Sequence, residues 1–200
     1  MKQEFTESTI DRNSRQRLLK SATELFAENG YAGTSVREIV ARAGVTKPVL
    51  YYYFESKEGI FRAIMNIVME KYEEILSEVF QVPGSSMDKL LFMYNSLSQT
   101  MIELPDIIRL FHRAVIGQLQ GAPEFGLEKF PLKVMEVIKQ IYNEGLARGE
   151  VAERDPDAVA LLLLNLLSLV VHKDSVFLKS MNRDVPIKTV QLALSNLKRD

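Results

Sequence analysis

Five residues in the first third of the chain have the types and spacing to meet a polyanion: Thr46, Lys47 and Pro48, then Tyr51 and Tyr52 one helical turn on. Hydroxyls, an ammonium and aromatic edges at the head of a short apolar segment suit contact with phosphates and base edges. Material for bond-breaking chemistry is scarce. There is no cysteine, which removes a thiolate metal site, a cysteine nucleophile and a disulfide framework together. The two histidines, His112 and His172, do not follow a glutamate by three positions, so the Glu-x-x-His pair of di-iron bundles is absent. HExxH and a phosphate-binding P-loop are absent too. Neighbouring acids, Glu73-Glu74 and Asp155 with Asp157, read as a solvated helix face and a helix start. The residues therefore favour binding over catalysis, with no enzyme activity, cofactor or metal expected.

The net charge of −1 over 200 residues conceals an asymmetry. Residues 12–62 carry nine basic groups against five acids, an excess of four, while the first 11 residues and 63–200 are each net acidic. A locally basic module on a neutral or acidic body is the footprint expected of a polyanion-binding unit. It also fits a merely solvated face, so its meaning depends on the element that carries it. With 46% hydrophobic and 26% charged residues, wholesale disorder is excluded. The N-terminus lacks the apolar run of a secretory signal. The longest apolar stretch, Ala158 to Val171, is 14 residues, short of the roughly 20 needed to span a bilayer. A cytoplasmic protein without a membrane partner is expected.

The positioning elements are helical. Leu18, Leu19, Ala22, Leu25 and Phe26 recur at spacings of three and four, one buried helix face that ends at Asn29-Gly30. Thr34 or Ser35 caps a second helix, with Glu38 near capping-box spacing, and Gly44 stops it. Thr46 caps a third, where Pro48 is harmless because first-turn amides have no intrahelical acceptor. Two short helices about a Gly-containing turn form a helix-turn-helix pattern, whose second helix enters the major groove with its N-terminal residues leading. The Tyr-Tyr-Tyr-Phe run also fits a plain core. Leu50 and Phe54, four apart, point inward on either reading, and Tyr51 is the better candidate for an outward ring.

Phe26, Gly30, Tyr31, Thr34-Ser35-Val36, Ile39, Ala43-Gly44-Val45-Thr46, Leu50-Tyr51-Tyr52-Tyr53-Phe54 and Lys57-Glu58 together resemble the TetR family of transcriptional regulators. The resemblance covers about 15–61, roughly a quarter of the chain. Val40, Pro48 and Tyr53 depart from its usual pattern, and Pro48 puts in doubt any base contact carried over from relatives with another residue there. The resemblance implies phosphate contacts from Thr34, Ser35 and Arg37 on the second helix. It implies further contacts from Thr46, Lys47, Pro48, Tyr51 and Tyr52 on the third, and from Lys57 at the start of the fourth. Arg12, Arg15 and Arg17 can reach the adjacent backbone, whereas Glu4, Glu7 and Asp11 argue against an extended basic arm.

The expected fold is all-α: an N-terminal three-helix DNA-binding domain over 1–58 and a helical ligand-binding and dimerisation domain over 59–200. Proline and glycine clusters bound further helices at about 56–80, 86–103, 105–120, up to 148, from 156, and 186–198. The Leu-rich segment after Pro156 is apolar all round, so it must bury more than one side, a core on one and a partner subunit on the other. The resemblance places the dimer on the last two helices. Candidate pocket residues are Met69, Tyr72, Tyr94, Phe111, His112 and Asn165, soft or aromatic side chains with a few polar groups. Each of them also fits ordinary core filling. The leading expectation is a homodimeric, ligand-responsive repressor released from a palindromic operator by a hydrophobic or amphipathic small molecule. Its rivals are a DNA-bound adaptor gated by a partner protein and a helical interaction module that binds no DNA.

Overall fold

The computed structural model describes residues 12–117, 119–171 and 185–198. His172, Glu4, Glu7 and Asp11 lie outside the described residues. Among those described there are nine α-helices: α1 Arg12–Asn29, α2 Val36–Ala43, α3 Lys47–Phe54, α4 Lys57–Glu78, α5 Ser86–Glu103, α6 Pro105–Val115, α7 Phe130–Ala147, α8 Pro156–Val171 and α9 Val185–Ser195. The all-α class follows. An isolated bridge between Val151 and Lys198 is the extended pairing found among them.

Local chemistry explains the boundaries. Ser35 and Ser85 open α2 and α5 with complete capping boxes, closed by Glu38 and Asp88. Gly44 ends α2 at φ 65°, a left-handed conformation that a Cβ would strain. The expected extension of α6 to about residue 120 is not found. The helix stops at Val115, and Gly117 turns the chain away at φ 70°.

The chain divides into two compact units. The first holds residues through Val68 together with Arg109–Phe125. Its core is Leu18, Ala22, Phe26, Ile39, Leu50, Ile60, Phe61 and Ile64, all fully enclosed. Phe26 stacks on Tyr31 at 5.4 Å between ring centres, and Phe61 meets both rings edge-on at 5.7 and 5.1 Å. Such pairs contribute about 0.5–1.5 kcal/mol each beyond area burial. The returning segment is tied to the helices it covers. Arg113 donates to the Ala27 carbonyl in the last turn of α1 at 3.2 Å, and Arg62 donates to the Glu124 carbonyl at 3.3 Å.

The second unit holds Met69–Ile108 and the residues from Gly126 on. In it α5 packs against α7 and α8, and α9 lies on α8 and α5. Tyr142 is fully buried and donates to the Ala152 carbonyl at 2.7 Å. One face of α8 (Val159, Ala160, Leu163, Leu167) is buried, whereas Leu161 at 52% and Leu162 at 47% remain exposed, as does Leu192 of α9 at 64%. Among the described residues no helix is long and apolar enough to cross a membrane.

A buried lysine tests the packing. Lys89, 7% exposed, meets Glu144 at 3.4 Å. Removing one partner of an ion pair is costly where it strands a buried charge. Glu144, one-third exposed and also paired with Arg148 at 3.5 Å, is not stranded by loss of Lys89, whereas buried Lys89 is stranded by loss of Glu144. Lys89→Met is therefore expected to unfold within about 1 kcal/mol of the parent in denaturant titrations. Glu144→Ala, which leaves the ammonium buried without its carboxylate, costs more than Lys89→Met in the same titrations.

Candidate nucleic-acid interface

The interface begins with what holds α3. Val49, Leu50 and Phe54 are buried on its inner face. Thr46, Lys47, Pro48, Tyr51 and Tyr52 are exposed on the other, Tyr51 at 47% and Tyr52 at 66%. Spaced at 47, 48, 51 and 52, they make one continuous strip over two helical turns. Thr46 is the N-cap residue, but its side chain makes no capping bond, so its hydroxyl stays available for a ligand. Tyr52 meets Tyr53 edge-on at 5.1 Å, and the Arg15 guanidinium lies 5.5 Å from the Phe54 ring centre.

On α2, Ser35 and Arg37 are exposed. The Ser35 amide and hydroxyl both donate to Glu38 Oε2, at 2.8 and 2.7 Å, and the Glu38 amide donates back to Ser35 Oγ at 3.3 Å. The Ser35 hydroxyl, followed by its amide, holds the Glu38 carboxyl below the usual carboxylate range. This contribution to α2 is complete above the ordinary carboxylate pKa and is lost as pH falls through the lowered folded-state value. Arg42, counted in the sequence among the positive groups, is clamped by Glu28, both nitrogens at 3.0 Å from its two oxygens, with Glu24 at 3.8 Å.

Two expected phosphate contacts sit differently. Thr34 is 2% exposed, and its hydroxyl points at the carbonyls of Gly30 and Leu25 at 2.8 and 3.1 Å. Its side chain braces the turn between α1 and α2 and is covered. Lys57 donates to the carbonyls of Tyr31 and Thr34, both at 3.0 Å, and its Nζ lies 4.2 Å from the Tyr31 ring centre. Burial pushes its pKa down. An ammonium has three N–H donors, so this geometry leaves one beyond the turn. The resemblance implied a phosphate contact from Lys57 at a helix start, and the tertiary approach of Tyr31, 26 residues away, was not readable there. Arg113 and Arg62, which tether the returning segment, likewise left no local signal, because their carbonyl partners are 86 and 62 residues distant.

The six candidate pocket residues are divided between the two units. Met69, Tyr72, Tyr94 and Asn165 belong to the second unit, Phe111 and His112 to the first. Tyr72 is buried and stacks on Phe130 at 4.8 Å, and burial pushes its hydroxyl pKa strongly up. Tyr94, also buried, donates to the Leu166 carbonyl at 3.5 Å. Phe111 is buried, Met69 and His112 are half-buried, and exposed Asn165 donates back to its own helix at Leu161. A groove of about 670 Å³ lies along the outer side of α7, lined by Glu136, Lys139, Gln140, Asn143, Glu144 and Ala147. None of the six candidates lines it.

A short helix with a buried inner face, following a glycine turn and presenting a cation, a proline and aromatic rings outward, has the arrangement of a helix-turn-helix motif. Residues 18–64 match the family described as bacterial regulatory proteins, tetR family. The transcriptional regulator QacR of Staphylococcus aureus is 29% identical over 162 residues, 80% of this chain and 85% of that one. A fatty acid metabolism regulator protein of Bacillus subtilis is 26% identical over 143 residues, covering 68% and 70%. The solved structure of a putative fatty acid metabolism regulator of Clostridium perfringens superposes with a TM-score of 0.71 at 25% identity, covering 92% of this chain and all of that one. The chain is thus similar to TetR-family regulators, through its N-terminal region in the family match and over most of its length in these relatives.

The two lysines separate by role in a simple measurement. Lys57→Met removes the donor from two carbonyls and the cation from the Tyr31 ring, and is expected to lower unfolding stability by about 1–3 kcal/mol. Lys47→Met, on the exposed strip, is expected to change it by less than about 0.5 kcal/mol. Thermal or urea unfolding of both variants checks this. Equal losses would reject the bracing role.

Proposed function

We propose that this chain is a homodimeric repressor that binds a palindromic DNA operator through α3 and is released by a hydrophobic or amphipathic small molecule. DNA contact is assigned to residues 1–58, effector binding and dimerisation to 59–200. The observation that carries this reading is the outward strip of α3 on a helix whose inner face is locked. Phosphates would be met by Arg37 and Lys47 and by the remaining Lys57 donor, with Ser35, Thr46 and Tyr52 adding hydroxyls. The Thr34 side chain supports rather than touches.

Dimerisation is supported by the exposed leucines of α8 and α9, which a second copy would cover. Two half-sites one turn apart require recognition helices roughly 34–36 Å apart, a distance the dimer must set. An apolar effector is supported by the names of two relatives, both regulators of fatty acid metabolism. Met69, Tyr72, Tyr94, Phe111, His112 and Asn165 remain the proposed residues for it. Because α4 and α6 each run from one unit into the other, they are the proposed transmitters of the effector's presence. A hundredfold loss of operator affinity needs about 2.7 kcal/mol of coupling.

One observation favours a second reading. Met65, Met93, Tyr72 and Tyr94 are closely covered by the protein itself, as suits a filled core and a DNA-bound adaptor gated by a partner protein. Palmitate and palmitoyl-CoA discriminate. Release of operator and a raised unfolding temperature with either one support the repressor reading, and inertness to both favours the adaptor.

About three phosphate-directed cations per protomer give about six per dimer, so operator affinity is expected to fall with salt at a log–log slope near about −5. Lys47→Ala should reduce the slope by about 2. Binding that ignores salt would refute DNA recognition. The double substitution Leu161→Asp with Leu192→Asp is expected to give folded monomers in sedimentation, with operator affinity lost. A dimer that persists would reject the α8–α9 interface.

A further inference from the structure

The corner between α3 and α4 is built without slack. Glu55 lies between the two helices at φ 63° and ψ −33°, and among the described residues it is the one non-glycine residue at positive φ. The Ser56 amide donates back across it to the Phe54 carbonyl at 2.6 Å, which closes a γ-turn of the strained hand. The Glu55 amide donates to the Tyr51 carbonyl at 2.9 Å, and the Gly59 amide donates to Ser56 Oγ at 2.9 Å. Each helix end is thereby fastened to the same two-residue link. The buried Phe54 ring anchors one side of that link, and the fully enclosed Ile60 and Phe61 anchor the other.

Gly59, in the first turn of α4, sits against the Phe54 carbonyl. A Cβ there would collide with that oxygen, a main-chain atom that cannot swing aside as a side chain would. Alanine would otherwise suit position 59 better, since glycine is the poorer helix former. Glycine would in turn suit position 55, where a positive φ costs it nothing. The chain has the reverse arrangement, a glutamate in the left-handed conformation and a glycine on the helix. What the glycine serves is the close approach of the carbonyl to α4, and not the handedness of the turn.

We propose that Gly59 is a positioning residue for the outward strip of α3: it admits the Phe54 carbonyl against α4 and so fixes the angle at which the two helices meet. The proposal rests on the DNA-binding reading above and adds a residue outside the strip that governs sequence-specific binding. A side chain at position 59 must push the carbonyl away, open the γ-turn and tilt α3. Contacts to base edges need register, whereas the attraction of cations to phosphates is sequence-independent and tolerates a tilt. The tilt therefore weakens specific binding and spares the rest.

The test uses the full chain. The parent protein first selects a duplex from a random library. Gly59→Ala, Glu55→Gly and the double variant are then compared with it on that duplex and on unselected duplex. Gly59→Ala is expected to bind the selected duplex about tenfold more weakly, the effect of one lost base contact, and unselected duplex within about twofold of the parent. Glu55→Gly, which relieves the turn, is expected to raise the midpoint of urea unfolding and to bind both duplexes as the parent does. In the double variant the peptide between residues 54 and 55 can rotate without carrying α3 along, and most of the lost affinity returns. Three outcomes overturn the proposal: Gly59→Ala binding the selected duplex like the parent, equal losses on both duplexes, or no recovery in the double variant. A parent that binds with salt dependence yet selects no sequence also overturns it and leaves DNA binding standing. Binding that shows no salt dependence sinks both.

Discussion

The first unit depends on one small assembly: the Phe26, Tyr31 and Phe61 rings with the Lys57 ammonium seated against Tyr31. Tyr31 stands between α1 and α2, and Phe61 on α4, so the rings join elements that are far apart in sequence. Lys57 then ties two carbonyls of the same turn to the beginning of α4. Because Thr34 braces the turn from within, the start of α2 is fixed from both sides. The position of α3 follows, since its inner residues pack on helices whose angles are already set.

The charges of this unit divide into those that build and those that face outward. Arg42 is held by Glu24 and Glu28, Arg62 by Glu58, and Arg113 by a main-chain carbonyl. Exposed pairs such as these add little stability singly. Their effect on the outer field is larger, because the carboxylates that neutralise Arg42 and Arg62 leave the outward positive charge to Arg37, Lys47 and the exposed arginines of α1. A raw count of basic residues therefore overstates what a polyanion would meet.

Much of the fold was legible in the sequence, for reasons that are local. Capping boxes, first-turn prolines and glycine stops are read within four residues, and α5 begins and ends where Ser86 and Glu103 indicated. The outward character of Thr46, Lys47, Pro48, Tyr51 and Tyr52 was equally accessible, because helical periodicity sorts them from Val49, Leu50 and Phe54. α6 ends before the proline and glycine cluster that bounds it in the sequence, because Gly117 already takes the left-handed conformation at φ 70°. The parts played by Thr34 and Lys57 were hidden for another reason. Each is decided by carbonyls that a turn brings close, and carbonyls have no letter in the sequence.

The leading end of α3 has a consequence for hydration. A helix start normally carries four amides without intrahelical acceptors, and drying them against a surface is costly unless each finds a partner. Here Pro48 has no amide, and that of Val49 turns back to the Thr46 carbonyl at 3.1 Å. Two of the four are thus absent or satisfied before anything arrives. Water can leave this tip with few main-chain groups stranded, which suits a helix end meant to press against an apolar floor.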